Sequence, residues 1–267
     1  MDRAELFQRI QQKRSFLCVG LDPDPDRIPA SFDGDVLAFN RSIIDATREY
    51  AVAYKPNTAF YEALGLDGMR ILHATIDYIG RDHLIIADAK RGDIGNTSGY
   101  YARFAFETLG ADAITVAPYM GEDSVRPFLS YPGKWAIVLA VTSNEGGDDF
   151  QHTVQQDTGT ALYDKVMRRV MEWGSPDQLM FVCGATRAET FSTLRSIAPD
   201  HFFLVPGIGA QGGDLQAVCR FGMNAQCGLL VNSSRGILYA QDPARAAREL
   251  QQEMQSALEN YLPEVSQ

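Results

Sequence analysis

Leu84-Ile85-Ile86-Ala87-Asp88-Ala89-Lys90-Arg91-Gly92-Asp93-Ile94 begins as an apolar run and ends by putting two carboxylates and an ammonium within six residues. A short continuous apolar run closed by charge reads as a strand buried on both faces. Side chains two apart on a strand share a face. Asp88 and Lys90 therefore point the same way, with Ile86 one step deeper. Ala87 and Ala89 face the other way and leave room for a covering helix. Asp93 lies past the strand end, where the chain turns toward a helix opened by Thr97 and Ser98. Buried charges persist only when paired or used. Two readings stand: a salt bridge closing a strand end, or a reactive cluster.

The same unit recurs along the chain. Ser15–Asp22, Ala51–Asn57, Ala113–Pro118, Trp135–Ser143, Leu179–Thr186, Phe202–Pro206 and Gly228–Ser233 are further apolar runs, which makes eight strands in all. Helical sequence lies between them: Asp35–Tyr50, a stretch reaching Ile79, Tyr100–Leu109 stopped by Gly110, Thr158–Trp173, and Pro243–Tyr261. Continuous apolar strands alternating with helices indicate a parallel sheet covered outside. Eight such units indicate a TIM-type (β/α)8 barrel of the α/β class. A doubly wound sheet is the alternative, but its Gly-rich turn follows the first strand, and here that turn follows the seventh. No Pro-rich or Ser-rich linker divides the chain, so residues 1–267 are expected to form a single barrel domain. Residues 1–14 add an N-terminal helix with Leu6, Phe7 and Ile10 on one face, and residues 262–267 a frayed tail. Asn144–Asp157, Gly-rich and acidic, is too long for an idle connection and reads as a mobile lid.

Composition bounds the function. Of the 267 residues, 45% are hydrophobic and 22% charged, which fits a soluble protein with a sizeable core. The formal net charge of −10 argues against a nucleic-acid surface. No apolar run is long enough to span a bilayer, and the N-terminus lacks a secretion pattern. Cys18, Cys183, Cys219 and Cys227 form no CxxC pair and read as buried thiols in a reducing cytoplasm. The four histidines are scattered, so no His-rich metal site is expected.

Polar residues collect at the carboxyl ends of the strands. Asp22 ends the first, Lys55 and Asn57 the second, and Asp88 and Lys90 the third. Thr142 and Ser143 end the fifth, and Arg235 follows the eighth. In a (β/α)8 barrel that end carries the active site. Pro206-Gly207-Ile208-Gly209-Ala210-Gln211-Gly212-Gly213 follows the seventh strand and Asn232-Ser233-Ser234-Arg235-Gly236 the eighth. Glycines let a backbone approach an anion, and Arg grips phosphate with a two-pronged fork. These two loops are where such barrels bind phosphate. Lys55, Asp88, Lys90 and Asp93 offer a Lys–Asp–Lys–Asp charge chain at the other side. There is no Ser–His pair, no metal cluster and no dinucleotide fingerprint. Such a site suits electrostatic and proton-transfer chemistry on a phosphorylated small molecule.

Asp88-Ala89-Lys90-Arg91-Gly92-Asp93-Ile94 resembles the signature of the orotidine 5′-phosphate decarboxylases. The resemblance extends to Val19–Asp22, Tyr54–Asn57, Thr142–Asn144, Pro206–Gly213 and Ser234-Arg235, in the same order. Lys55 to Glu62 and the long fifth loop are similar to the longer bacterial subgroup. The resemblance implies decarboxylation of orotidine monophosphate to uridine monophosphate in pyrimidine biosynthesis, by a cytoplasmic homodimer without metal or cofactor. It implies Lys90 as proton donor to C6, Asp88 against the departing carboxylate, and Lys55 supporting Asp88 and the ribose. Asp22 and Asn57 would bind ribose hydroxyls, and Ser143, with or without Thr142, the pyrimidine edge. Gln211 and Arg235, beside Ser234, would hold the phosphate, and Pro206 would line the pocket. Asp93, with Ile94 and Thr97, would reach into the neighbouring subunit's site. The rivals are a magnesium-dependent sugar-phosphate decarboxylase of the same barrel group, such as 3-keto-gulonate 6-phosphate decarboxylase, and a noncatalytic nucleotide-binding barrel. The second strand ends in Lys55 rather than a carboxylate, which goes against a metal.

Overall fold

Eight parallel strands close into a barrel, each hydrogen-bonded to its neighbours in chain order. The computed structural model describes residues 1–185, 189–208 and 214–262. The strands are β1 (Leu17–Leu21), β2 (Ala51–Pro56), β3 (Leu84–Arg91), β4 (Ala113–Val116), β5 (Trp135–Val141), β6 (Leu179–Cys183), β7 (Phe202–Pro206) and β8 (Leu229–Ser233). Around them lie α1 (Arg3–Lys13), α2 (Val36–Thr47), α3 (Thr58–Glu62), α4 (Gly65–Ile79), α5 (Gly95–Arg103) and α6 (Glu122–Leu129). The ring is completed by α7 (Leu162–Met171), α8 (Thr190–Ile197), α9 (Leu215–Gly222), α10 (Arg235–Leu238) and α11 (Pro243–Tyr261).

Closure explains why the strands read as solid apolar runs. β1 pairs with β2 on one side and with β8 on the other, Leu17 opposite Val231. Each strand then buries one face in the barrel interior and the other under helices. Every residue of β1, β2, β4 and β6 is buried. The amino-terminal end of the barrel is covered by α1. Its start is held by a reciprocal cap between Asp2 and Glu5, and it buries Leu6 and Ile10. Phe7, expected on the same face, is only half-buried. Because all strands run the same way, their carboxyl ends share one rim.

Several boundaries differ from the sequence reading. The helix after β3 opens at Gly95, so Thr97 and Ser98 lie in its first turn instead of starting it. Ser98 Oγ turns back, donating to the Asp93 carbonyl at 2.9 Å. After Arg103 the same helix widens into a π-turn over Phe104–Thr108 before Gly110, at φ 71°, ends it. α7 starts at Leu162 instead of Thr158, because Val154 and Ala161 pair antiparallel around a turn containing Gly159. β4 and β5 stop short of Pro118 and Ser143. Thr186, expected in the sixth strand, lies outside the described residues. Leu262 still caps α11, its N–H donating to the Leu258 carbonyl at 2.7 Å, while the rest of the expected tail lies outside the described residues.

The four cysteines are free and buried: Cys18 in β1, Cys183 at the end of β6, Cys219 in α9 and Cys227 just before β8. Burial pushes all four thiols up, Cys18 and Cys227 to about 12. Among the described residues no helix is long and apolar enough to cross a membrane.

Candidate active site

Asp88 is the hub of the rim. Lys55 Nζ, from β2, donates to its Oδ2 at 2.6 Å. Lys90 Nζ donates to its Oδ1 at 2.6 Å, and Thr115 Oγ1, from β4, donates to the same oxygen at 2.9 Å. Burial pushes the Asp88 carboxyl up, but the Lys55 and Lys90 ammoniums outweigh it and hold it well below the usual carboxylate range. Lys55 is the converse: burial pulls its ammonium down, and the carboxylates of Asp88 and Asp22 more than restore it. The two lysines are not equivalent. The Lys55 side chain is 6% exposed and that of Lys90 50%. Lys55 is an internal counter-ion, and Lys90 is an ammonium that a bound molecule can reach.

Strand alternation alone does not bring Asp88 and Lys90 together. Between the pairs Ala87–Ile114 and Arg91–Val116, three residues of β3 stand opposite Thr115 alone. This bulge puts Lys90 in the left-handed region, φ 47°, where residues with a side chain are uncommon. The strain falls at the residue whose ammonium must be aimed.

Above this cluster opens a cavity of about 460 Å³ lined by Lys55, Asp88, Lys90, Thr115, Thr142, Ser143 and Pro206, with Leu139, Val182 and Leu204 as its apolar floor. A second cleft of about 220 Å³ shares Lys55, Asp88 and Pro206 and extends to Asp22, Asn57, Ser234 and Arg235. The structure thus joins a reacting pole to a pole that carries the guanidinium. Asp22 Oδ1 and Asn232 Oδ1 are buried, both residues border the second cleft, and neither oxygen has a partner among the described residues. Two unpaired acceptors suit a ligand with hydroxyl donors. The Asp22 loop is tied to the β8 loop by Tyr239, whose hydroxyl accepts from Asp24 N–H at 2.9 Å and donates to the Asp22 carbonyl at 3.3 Å. Gly20 makes that approach possible, since a Cβ there would sit 1.9 Å from Ser234 Oγ.

The loop after β5 folds back onto its own strand. Thr142 N–H donates to Gln151 Oε1 and Gln151 Nε2 to Thr142 Oγ1, both at 2.8 Å. Thr142 Oγ1 thus accepts from the loop, and Thr142 and Ser143 stand side by side on the cavity wall.

Asp93, Ile94 and Thr97 are not brought to either cleft. Asp93 Oδ1 accepts from the Ile94 N–H at 2.8 Å, and Ile94 is 58% exposed. The expected four-charge chain is therefore three charges within this chain, Lys55–Asp88–Lys90. Gln211 and the glycines around it lie outside the described residues. Among the described residues no group of three His, Cys, Asp or Glu side chains could hold a metal ion. Thr115 and Gln151 were missed by sequence reasoning, and Asn232 was read only as part of the loop after the eighth strand. Thr115 left a signal, as the one polar residue in the strand Ala113-Ile114-Thr115-Val116. Gln151 left none.

Comparison with known proteins agrees with this geometry. The model of the orotidine 5′-phosphate decarboxylase / HUMPS family matches residues 15–250. The orotidine 5′-phosphate decarboxylase of Bacteroides fragilis is 52% identical over 274 residues, spanning 99% of this chain and 100% of its own. That of Porphyromonas gingivalis is 54% identical over 271 residues, spanning 97% and 98%. The structure of Leishmania donovani OMP decarboxylase superposes with a TM-score of 0.86 at 39% identity, over 96% of this chain and 98% of that one. A bulged charge cluster on a barrel rim and near-full-length kinship lead to one conclusion: this chain belongs to the orotidine 5′-phosphate decarboxylase / HUMPS family.

Proposed function

We propose that this chain is a carboxy-lyase that converts orotidine 5′-monophosphate to uridine 5′-monophosphate and carbon dioxide, in pyrimidine biosynthesis. The observation that carries the reading is the Lys55–Asp88–Lys90 array lining a cavity that shares Lys55, Asp88 and Pro206 with a second cleft reaching Arg235. Full-length kinship to orotidine 5′-phosphate decarboxylases supports it.

The residues divide the work as follows. Arg235 and Ser234, with Gln211, hold the phosphate, away from the reacting carbon, so that its binding energy orders the site. Asp22 and Asn57 take ribose hydroxyls. Asn57 Oδ1 already accepts from Ala59 N–H at 3.2 Å, which leaves its amide N–H groups for the ligand. Ser143 meets the pyrimidine edge, and Pro206 lines the wall. When the C6–carboxylate bond breaks, its electron pair stays on C6, where the ring cannot delocalise it as an enolate. The Lys90 ammonium stabilises that charge and then gives C6 a proton, which solvent returns. Asp88 keeps Lys90 in place and lies beside the departing carboxylate, with Lys55 as its buried counter-charge. No step calls on a metal or cofactor.

The working unit in this proposal is a cytoplasmic homodimer of single-domain barrels, in which Asp93, Ile94 and Thr97 complete the partner's site. Large apolar side chains left exposed on adjoining segments, Ile94, Tyr100, Tyr119 and Met120, support such a contact. The test is the loss of orotidine monophosphate absorbance with and without EDTA. Turnover unaffected by EDTA is expected. No turnover refutes the reading, and turnover abolished by EDTA refutes its metal-free chemistry.

A further inference from the structure

Thr115 is 1% exposed in the middle of β4 and carries one hydroxyl among apolar neighbours. A hydroxyl has one proton to give and lone pairs to accept with. Both functions are used on β3. The proton goes to Asp88 Oδ1 at 2.9 Å, and the oxygen accepts the Lys90 backbone N–H, also at 2.9 Å. Thr115 is also the residue that faces the bulge, with Asp88, Ala89 and Lys90 opposite it. The side chain therefore supplies an acceptor where the backbone ladder is interrupted. It does so at Lys90, the residue held left-handed.

We propose that Thr115 is a positioning residue for decarboxylation, its hydroxyl fixing at once the rotation of the Asp88 carboxylate and the backbone that aims Lys90. This rests on the reading of Asp88 and Lys90 as the reacting pair. Without the hydroxyl, Asp88 Oδ1 keeps only the Lys90 ammonium, and that ammonium hangs from a backbone whose N–H has lost its acceptor. The carboxylate and the ammonium then drift together, away from the geometry the transition state needs. Substrate binding, borne mainly at the Arg235 pole, is left nearly intact.

Thr115→Val and Thr115→Ser test this in opposite directions. Val keeps the volume and loses the hydroxyl, and Ser keeps the hydroxyl and loses the methyl group. A packing role makes Ser the worse variant. A positioning role makes Val the worse. Steady-state decarboxylation and thermal melting are measured on both. Thr115→Val is expected to lower kcat about 10- to 100-fold, the range for a hydrogen bond to a charged group, with KM changed less than about threefold. Thr115→Ser is expected within a few-fold of the parent enzyme. Should the Val variant fail to fold, Thr115→Ala takes its place against Ser. Parental kcat in the hydroxyl-free variant, or equal losses in both, overturns the inference. An inactive parent enzyme sinks the underlying reading instead, so the two failures are distinguishable.

Discussion

Replacing Asp88 with Asn strands a buried ammonium, and the structure says how much that costs and how the cost varies with pH. Lys55 Nζ lies 2.6 Å from Asp88 Oδ2 with its side chain 6% exposed. At that separation the gross attraction is about 6 kcal/mol for an effective dielectric of about 20. Part of it offsets desolvation of the pair, and breaking such a pair by removing one partner costs about 3–5 kcal/mol. In the parent protein the pair's contribution is flat near neutrality. Asp88 is held below its ordinary 3.8, so its share is present above that value and lost as pH falls. Lys55 is held above its ordinary 10.5, so its share is present below that value and lost as pH rises. In Asp88→Asn the ammonium loses its nearest counter-charge while burial, the largest influence on it, still opposes its charge, so its pKa is expected to fall below its ordinary 10.5. The folded variant then disfavours the proton, and its deficit shrinks as pH rises. Urea unfolding of both proteins at about pH 7 and about pH 9.5 is the assay. The expected gap is about 3–5 kcal/mol at the lower pH, narrowing by about 1 kcal/mol or more at the higher. A gap under about 1 kcal/mol, or one that does not narrow, would refute the account of Lys55 as a buried counter-ion.

Lys90→Ala should behave oppositely, losing turnover to background while unfolding within about 1 kcal/mol of the parent, because its side chain is half in solvent; near-parental turnover removes Lys90 from the chemistry. Arg235→Ala should weaken uridine monophosphate about 10- to 100-fold and leave uridine within about twofold, measured by calorimetry. Equal losses for both ligands mean that Arg235 does not hold the phosphate. Mixing inactive Lys90→Ala and Asp93→Ala chains by unfolding and refolding should restore about a quarter of all sites in a twofold dimer. Background activity, with exchange verified, leaves each site built from one chain.

How far a sequence can be read depends on whether the deciding contact is local. β7 and α11 match their expected ends because both boundaries are written locally: Pro206 closes one, while Pro243 behind the Asp242 cap opens the other. Lys55, Asp88 and Lys90 were legible because charge at the end of an apolar strand has few places to go. The left-handed Lys90 was not, since no glycine marks it and the bulge that sets it shows only in the register of β3 against β4, where its N–H meets Thr115. The same holds for Gln151, which acts on Thr142 across a loop. The start of α5 was misplaced because Thr97 and Ser98 have the composition of a cap, and the structure instead turns Ser98 back onto Asp93.

The four buried cysteines have a practical consequence. A thiol attacks only as its thiolate, and burial both hides these sulfurs and keeps them protonated. In the closed protein, alkylating reagents and mild oxidants therefore find no thiol to attack. Each sulfur becomes reactive only when its own sector opens: Cys18 for β1, Cys183 for the end of β6, Cys219 for α9, and Cys227 for the entry to β8. Timed alkylation followed by peptide mass spectrometry would give four separate opening rates around the ring. The chain thus carries its own gauges of which wall of the barrel yields first.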